Sequence, residues 1–267
     1  MSEEGGGVIV VDDGAIKRIV LSRPDAANAL RPLDRDAVIQ ALAAADSDPE
    51  VRVVVISAAG RHFCAGADVK ALANKMKTQM PVGEAMRTIM TGAQRLISSV
   101  LDCGKPVIAV VQGAAAGIGA HLAFAADLVV ASDNASFAES FIKRGIVVDG
   151  GGAYLLSRRI GLQRAKQMAF FGDAISADEA LGLGLVNEVV ALDDLPACAE
   201  NLAERLAASP TSAIALTKRL FNSALDTDRS AAFLAEAMAQ ELQSNAHDSA
   251  EGVRAFVERR SPNFLGR

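Results

Sequence analysis

The sequence has no tryptophan and a single tyrosine, and aromatic residues make up only 4% of it. So sparse an aromatic set leaves no stacking platform for nucleic-acid bases. Basic charge is not in excess either. The net charge is -5, which argues against nucleic acid as the main partner. Cysteine is scarce: Cys64, Cys103 and Cys198 are scattered and form no CxxC pair, the pattern of reduced thiols in a cytoplasmic setting. The three histidines, His62, His121 and His247, match no zinc spacing, so no metal site is expected. No apolar run is long enough to cross a membrane. The start, Met-Ser-Glu-Glu-Gly-Gly-Gly, lacks the basic and apolar regions of a signal peptide. What is present is a chain of 267 residues, 51% hydrophobic, enough for one large domain or a domain with an appendage.

The most informative stretch runs from Lys105 to Asp127. Val107 to Val111 is an uncharged, mostly β-branched run that suits a strand buried on both faces. Gly113, Gly117 and Gly119 follow with only small residues and Ile118 around them, and beyond Gly119 the pattern turns helical. A buried strand that ends in a bare glycine turn and opens a helix presents backbone N–H groups at a positive helix end. Gly113-xxx-Gly117-x-Gly119 looks like the nucleotide loop of short-chain dehydrogenases, a weak motif when alone. That loop normally follows the first strand, and its enzymes need a Tyr-xxx-Lys pair, whereas Tyr154 has Arg158 four residues on.

Along the chain, Val8 to Val11 and Ala15 to Leu21 flank Asp12-Asp13-Gly14, a hairpin signal. Leu33 to Ala45 has helical spacing, and Val51 to Ile56 is another uncharged strand. Strand and helix alternate as in an α/β fold with parallel strands. Ala58 to Val69 then repeats the pattern of strand, small-residue turn and helix start. If the two strands are neighbours, their turns aim two N–H groups at one point, which is an oxyanion hole. Leu72 to Val82, with Met76 and Met80, reads as a mobile lid or pocket wall. Gly83 to Leu101 is helical, Leu128 to Ala131 and Ala135 to Ala138 are strands, and Phe141 to Gly152 is irregular. The helix from Ala153 breaks at Arg158 to Gly161 and resumes to Phe171. Ser176 to Glu179 is a capping box, and Leu185 to Val190 the last strand. From Asp193 the pattern is helical throughout, with Ser209 and Pro210 as cap and first residue of one helix. The division is therefore 1–192 for the core and 193–267 for a helical region whose apolar faces need covering.

Taken together, these residues resemble the enoyl-CoA hydratase/isomerase (crotonase) family over nearly the whole chain. The match rests on Leu21-Ser-Arg-Pro24 with Asn28-Ala-Leu30, Phe63-Cys-Ala-Gly-Ala-Asp68, Lys105 to Gly113, and Ala125-Ala-Asp127. Arg158-Arg-Ile-Gly161, Ala180 to Val186 and Glu251-Gly-Val-Arg-Ala-Phe256 complete it. The resemblance implies a ClpP/crotonase-like spiral of ββα units with a C-terminal helical region that builds trimers, often paired into hexamers. It implies an acyl-CoA thioester as substrate, with coenzyme A entering as part of it and no separate cofactor. The oxyanion hole would fall on the N–H groups of Ala67 and Ile118. CoA contacts would fall on Ala26, Ala27, Ala65, Ala67, Asp68, Val69 and Lys70, and on Phe256 and Arg259 from a neighbouring subunit.

Hydratases of this family use two glutamates. Their places are taken here by His121 and Phe141, which puts hydration by that route in doubt. His121 and Glu139 remain as alternative bases for a hydratase or lyase. Phe141 and Val148 are expected to line the acyl pocket. Isomerase branches carry an aspartate in the context found here as Gly145-Ile-Val-Val-Asp149. A carboxylate among Phe141, Val147, Val148 and Ile118 would be a desolvated, strengthened base. It could take a proton from C2 and return it to C4, moving a double bond without water. Asp68 is expected to act structurally, and Cys64 to be a small buried residue. The missing glutamates also leave room for a third reading, a catalytically inactive acyl-CoA-binding protein.

Overall fold

The computed structural model describes residues 6–68 and 81–267. The expected lid, 72–82, therefore lies outside the described residues except at its last two positions, as do Val69 and Lys70. The chain opens with the hairpin β1 (Val8–Asp13) and β2 (Ile16–Leu21), followed by α1 (Pro32–Ser47) and β3 (Val53–Ala58). Next come α2 (Glu84–Thr88), a π-helical segment Ile89–Gln94, and α3 (Arg95–Asp102). β4 (Val107–Val111), β5 (Ala114–Ala116) and α4 (Ile118–Ala125) form the central stretch. β6 (Leu128–Ser132), β7 (Ser136–Ala138) and α5 (Gly152–Phe171) repeat its plan. β8 (Ala174–Ser176), α6 (Ala177–Gly182) and β9 (Glu188–Val190) lead into α7 (Leu195–Ala207), α8 (Thr211–Ser223), α9 (Arg229–Ser244) and α10 (His247–Glu258).

Six strands make one sheet in the order β1-β2-β3-β4-β6-β9, and β5-β7-β8 make a second. Among the described residues only β1–β2 and β7–β8 pair antiparallel. The repeating unit is a strand in the large sheet, a strand in the small one, then a helix. This is the ββα spiral. In strand β3, side chains alternate between the faces, as the pleat requires. Val53 and Val55 join Ile108, Val110 and Val130 under Leu195, Ala199 and Ala203 of α7. Val54 and Ile56 face the larger core with Val38 and Leu42 of α1, Leu96 and Val100 of α3, and Leu122 of α4. Thus α7, the first helix of the 193–267 stretch, closes the outer face of the large sheet.

Two details of the sequence reading change. The glycine turn ends sooner than expected, because Ala114–Ala116 pairs with β7 as a strand and α4 starts at Ile118 with Gly117 as its cap. Ser209 does not cap α8: its hydroxyl donates to the Arg205 carbonyl of the preceding helix at 2.7 Å, so Pro210 sits at the cap position without a side-chain bond. The break near Gly161 is a kink, with Gly161 at φ 73° inside α5.

Buried polar groups tie α8 to the core. The Lys218 ammonium, 8% exposed, donates to the carbonyl oxygens of Val100 and Lys105 at 2.9 and 3.3 Å and to Asp127 at 2.8 Å. Asp127 also accepts the Val107 N–H at 2.7 Å. Removing one partner of such a pair strands the other. Lys218→Met should lower the unfolding free energy by about 3 kcal/mol. Urea unfolding of both proteins at neutral pH measures it, and an unchanged midpoint would show that the lysine does not anchor α8.

Candidate active site

The segment 63–68 runs between two other pieces of backbone. On one side Phe63 N–H donates to Gln112 O, Cys64 N–H to Ala114 O, and Ala116 N–H to Cys64 O, at 2.8 to 3.0 Å. On the other, Ala65 N–H donates to Ala27 O, Leu30 N–H to Gly66 O, and Asp68 N–H to Leu30 O. Among the described residues the Ala67 N–H is left without a backbone acceptor. The Ile118 N–H is also unused, because it belongs to the first residue of α4, where helical bonding cannot reach. The helix dipole adds positive potential there.

Small residues let these segments approach. A Cβ at Gly119 would overlap the Cys64 carbonyl. Gly66 takes φ 105°, and a Cβ there would lie 3.0 Å from the Ala116 oxygen. Behind them, Phe124 of α4 stacks on Phe137 of β7 with ring centroids 5.3 Å apart, both fully buried. Such a pair contributes about 0.5–1.5 kcal/mol beyond its buried area, and it fixes α4 on the small sheet.

The loop 23–34 is braced by charge and amide. The Asn28 side chain accepts from Arg23 N–H at 2.7 Å and donates to Ala59 O and His62 O at 2.9 and 2.7 Å. Arg23 reaches Asp68 at 3.2 Å. Asp68 is thus in a salt bridge that joins the loop to the 63–68 segment, in keeping with a structural part. Ala26 and Ala27 lie in this loop, Ala27 at φ 46°, one strand away from Ala65. His62 Nδ1 accepts from Ala114 N–H at 3.1 Å. Cys64 is fully buried, and burial pushes its thiol up to about 12, so it is no nucleophile.

A cavity of about 190 Å3 opens where these elements meet. Ala65 to Ala67 and Ala116 to Ile118 form one side, Phe141, Ile146 and Asp149 another, and Arg35, Ile89 and Ala93 a third. The cavity therefore brings together Ala65, Ala67, Ile118, Phe141 and Asp149 from the sequence reading. The Asp149 carboxylate takes no hydrogen bond among the described residues, and Gly151, not Asp149, occupies the cap of α5 without a side-chain bond. Burial raises the Asp149 pKa, with His121 and Arg35 opposing and Glu139 assisting. The desolvating neighbours differ from those expected. Val147 is 83% exposed, and Val148 packs toward His121 and Gly152 rather than lining the cavity.

His121 and Glu139 do not line the cavity. Both are fully buried, with His121 Nε2 3.0 Å from each Glu139 carboxylate oxygen. The imidazole stacks on Phe141 at 5.6 Å and 10°, so the phenyl ring and the Gly150 to Gly152 turn stand next to it. Phe256 is 86% exposed on α10, and Arg259 caps that helix in the left-handed region at φ 56°. Neither lines the cavity of the single chain. Arg35 went unnoticed in the sequence. Its signal was position: residues 35, 38 and 42 share one stripe of α1, and Val38 and Leu42 are buried on it.

A sequence profile described as enoyl-CoA hydratase/isomerase matches residues 12–267. A Rhodobacter capsulatus protein named "Probable enoyl-CoA hydratase" is 37% identical over 93% of this chain and 94% of its own. The 1,2-epoxyphenylacetyl-CoA isomerase of Escherichia coli is 32% identical over 94% of this chain and 95% of its own. The crystal structure of an enoyl-CoA hydratase from Polaromonas sp. JS666 superposes with a TM-score of 0.90 at 35% identity, covering 96% of this chain and 99% of that one. With the ββα spiral and the profile match over nearly its full length, the chain belongs to the enoyl-CoA hydratase/isomerase family, and it is an enzyme of the crotonase superfamily.

Proposed function

We propose that the enzyme moves a double bond in an acyl-CoA thioester from the 3,4 to the 2,3 position, with Asp149 as the proton shuttle. The observation that carries this reading is the shared cavity: the unbonded Asp149 carboxylate stands in the same space as the free Ala67 and Ile118 N–H groups. The thioester oxygen lies between those two donors. Asp149 takes a proton from C2, and the electron pair moves onto the carbonyl oxygen as an enolate. The N–H groups stabilise that charge more than they stabilise the neutral carbonyl. The Asp149 carboxyl then gives the proton to C4 as the electrons return, leaving the 2,3 double bond. Protons and electrons balance within the substrate and one carboxylate, so no redox cofactor enters. Burial makes Asp149 a stronger base than an exposed carboxylate. Hydration through His121 or Glu139 would need one of them at the cavity, and both are enclosed.

The CoA moiety would leave the cavity along the Ala26–Ala27 loop and Asp68. Exposed apolar side chains of α8 to α10, including Phe221, Phe233, Leu234, Met238 and Phe256, support self-association as a trimer or a dimer of trimers, with a neighbour's Phe256 and Arg259 approaching the nucleotide. Sedimentation equilibrium should give three or six times the 27.7 kDa chain. A monomer at micromolar concentration would remove those two residues from the site.

Asp149→Asn should reduce isomerisation of a 3-enoyl-CoA by about 10²–10⁴-fold and abolish deuterium exchange at C2 in deuterated water, while acyl-CoA still binds. Unchanged turnover would eliminate Asp149 as the base. In the wild type, kcat/KM should fall on acidification with a midpoint above the ordinary aspartate value of about 3.9, because the raised pKa protonates the base sooner. The same shift acts on stability with a defined sign. A carboxyl whose folded pKa is raised stabilises the fold below its unfolded pKa and loses that contribution as pH rises through the folded one. Asp149→Asn should therefore melt at or above the wild-type temperature at pH 7, with the difference shrinking toward pH 4. A variant that melts well below wild type at pH 7 would contradict the desolvated carboxylate.

A further inference from the structure

One charged group in the cavity has no role in the proton transfer. Arg35 enters from the first turn of α1 and lines the cavity wall together with Ile89 and Ala93. Its Nε is fully buried and has no hydrogen-bond partner among the described residues. Its terminal nitrogen lies over Gly92, where an added Cβ would sit 3.3 Å away. The lack of a side chain at Gly92 thus gives the guanidinium its room, within the π-helical segment where the helix is locally widened. Asp149 influences Arg35 electrostatically, yet the two form no ion pair within 4.0 Å among the described residues. Two aspartates flank Arg35 in sequence: Asp34 is engaged by Arg23 and Arg31, and Asp36 acts on Arg35 through its charge without an ion pair among the described residues.

A buried donor without an acceptor is costly, and here the donor belongs to a charged group that is half-buried. A pocket that held only hydrocarbon would be better lined by leucine or methionine at this place. The balance of charge points the same way. Arg35 and Arg144 line the cavity against the single carboxylate of Asp149. Arg144 is exposed and occupied by the Ser140 carbonyl and hydroxyl at 3.0 and 2.9 Å, which leaves the buried Nε of Arg35 as the charged donor in want of an acceptor. One further negative charge inside the cavity neutralises the set. The planar fork of a guanidinium matches a carboxylate with two parallel hydrogen bonds.

The geometry points to a substrate whose acyl chain carries a carboxylate distal to the thioester, paired with Arg35 while the thioester oxygen sits at Ala67 and Ile118. This rests on the proposed placement of the thioester in the cavity. Arg35 is then the residue that selects acidic acyl groups over plain fatty acyl groups, and the proton transfer itself does not use it.

Saturated thioesters test the selection without needing turnover. Calorimetric titration compares glutaryl-, adipyl- and suberyl-CoA with pentanoyl-, hexanoyl- and octanoyl-CoA, and adds the methyl ester of adipyl-CoA. At least one diacid should bind about tenfold or more tightly than its chain-matched monoacid, and the methyl ester should lose that advantage. In Arg35→Met the ratio of the two dissociation constants should fall to near one, and Arg35→Lys should keep part of it. Equal affinity of diacid and monoacid for the wild type would overturn the inference, whatever the variants do. So would a diacid preference that persists in Arg35→Met. Exchange at C2 of hexanoyl-CoA reports on Asp149 separately. Exchange without diacid preference sinks the Arg35 assignment alone, whereas preference without exchange sinks the Asp149 reading alone.

Discussion

The segment from Phe63 to Asp68 is held on both edges by backbone hydrogen bonds, and everything in the cavity is placed relative to it. One edge belongs to the strand that leads into α4, and the other to the loop that carries Asn28. Both edges are backbone, and the Asn28 amide and the Arg23–Asp68 ion pair hold the outer one in place. The same bonds fix the start of α4, whose first amide has no helical partner. Under the proposed function these two donors need no reorganisation when charge develops on an oxygen between them.

Around that rigid pair the cavity holds charged groups that lack partners among the described residues. Several buried or half-buried charges elsewhere are paired: Lys218 with Asp127, Arg31 with Asp34, Arg260 with Glu251. In the cavity, Asp149 has no hydrogen bond and Arg35 Nε has no acceptor. Both exceptions lower stability, and a binding site is where function is expected to depart from optimal folding. The buried His121–Glu139 pair lies just behind them and shapes the potential at Asp149 from outside the cavity.

Much of this was legible in the sequence. The uncharged runs at Val53 and Val107 gave adjacent parallel strands, and the two small-residue turns after them gave the two amides. The small sheet was harder to see, because Ala114–Ala116 and Ala174–Ser176 are three-residue strands with little intrinsic preference for extension. Their pairing comes from neighbours distant in the chain. His121 and Glu139 could each be singled out, but not their partnership, which depends on the end of β7 returning to α4. Arg35 was hidden for the opposite reason. An arginine in the polar-looking first turn of a helix is ordinarily solvated, so the stripe it shares with Val38 and Leu42 was a weak signal, and the room left by Gly92 is what lets it turn inward.

The convergence of the two amides on one oxygen is tested most directly by the vibrational frequency of that bond. An acyl-CoA with a ¹³C-labelled thioester carbonyl, bound to the wild-type enzyme, would be examined by isotope-edited infrared difference spectroscopy. Polarisation by the Ala67 and Ile118 N–H groups predicts a carbonyl stretch at lower frequency than in water. A stretch unchanged from water, or shifted upward as in an apolar solvent, would contradict it.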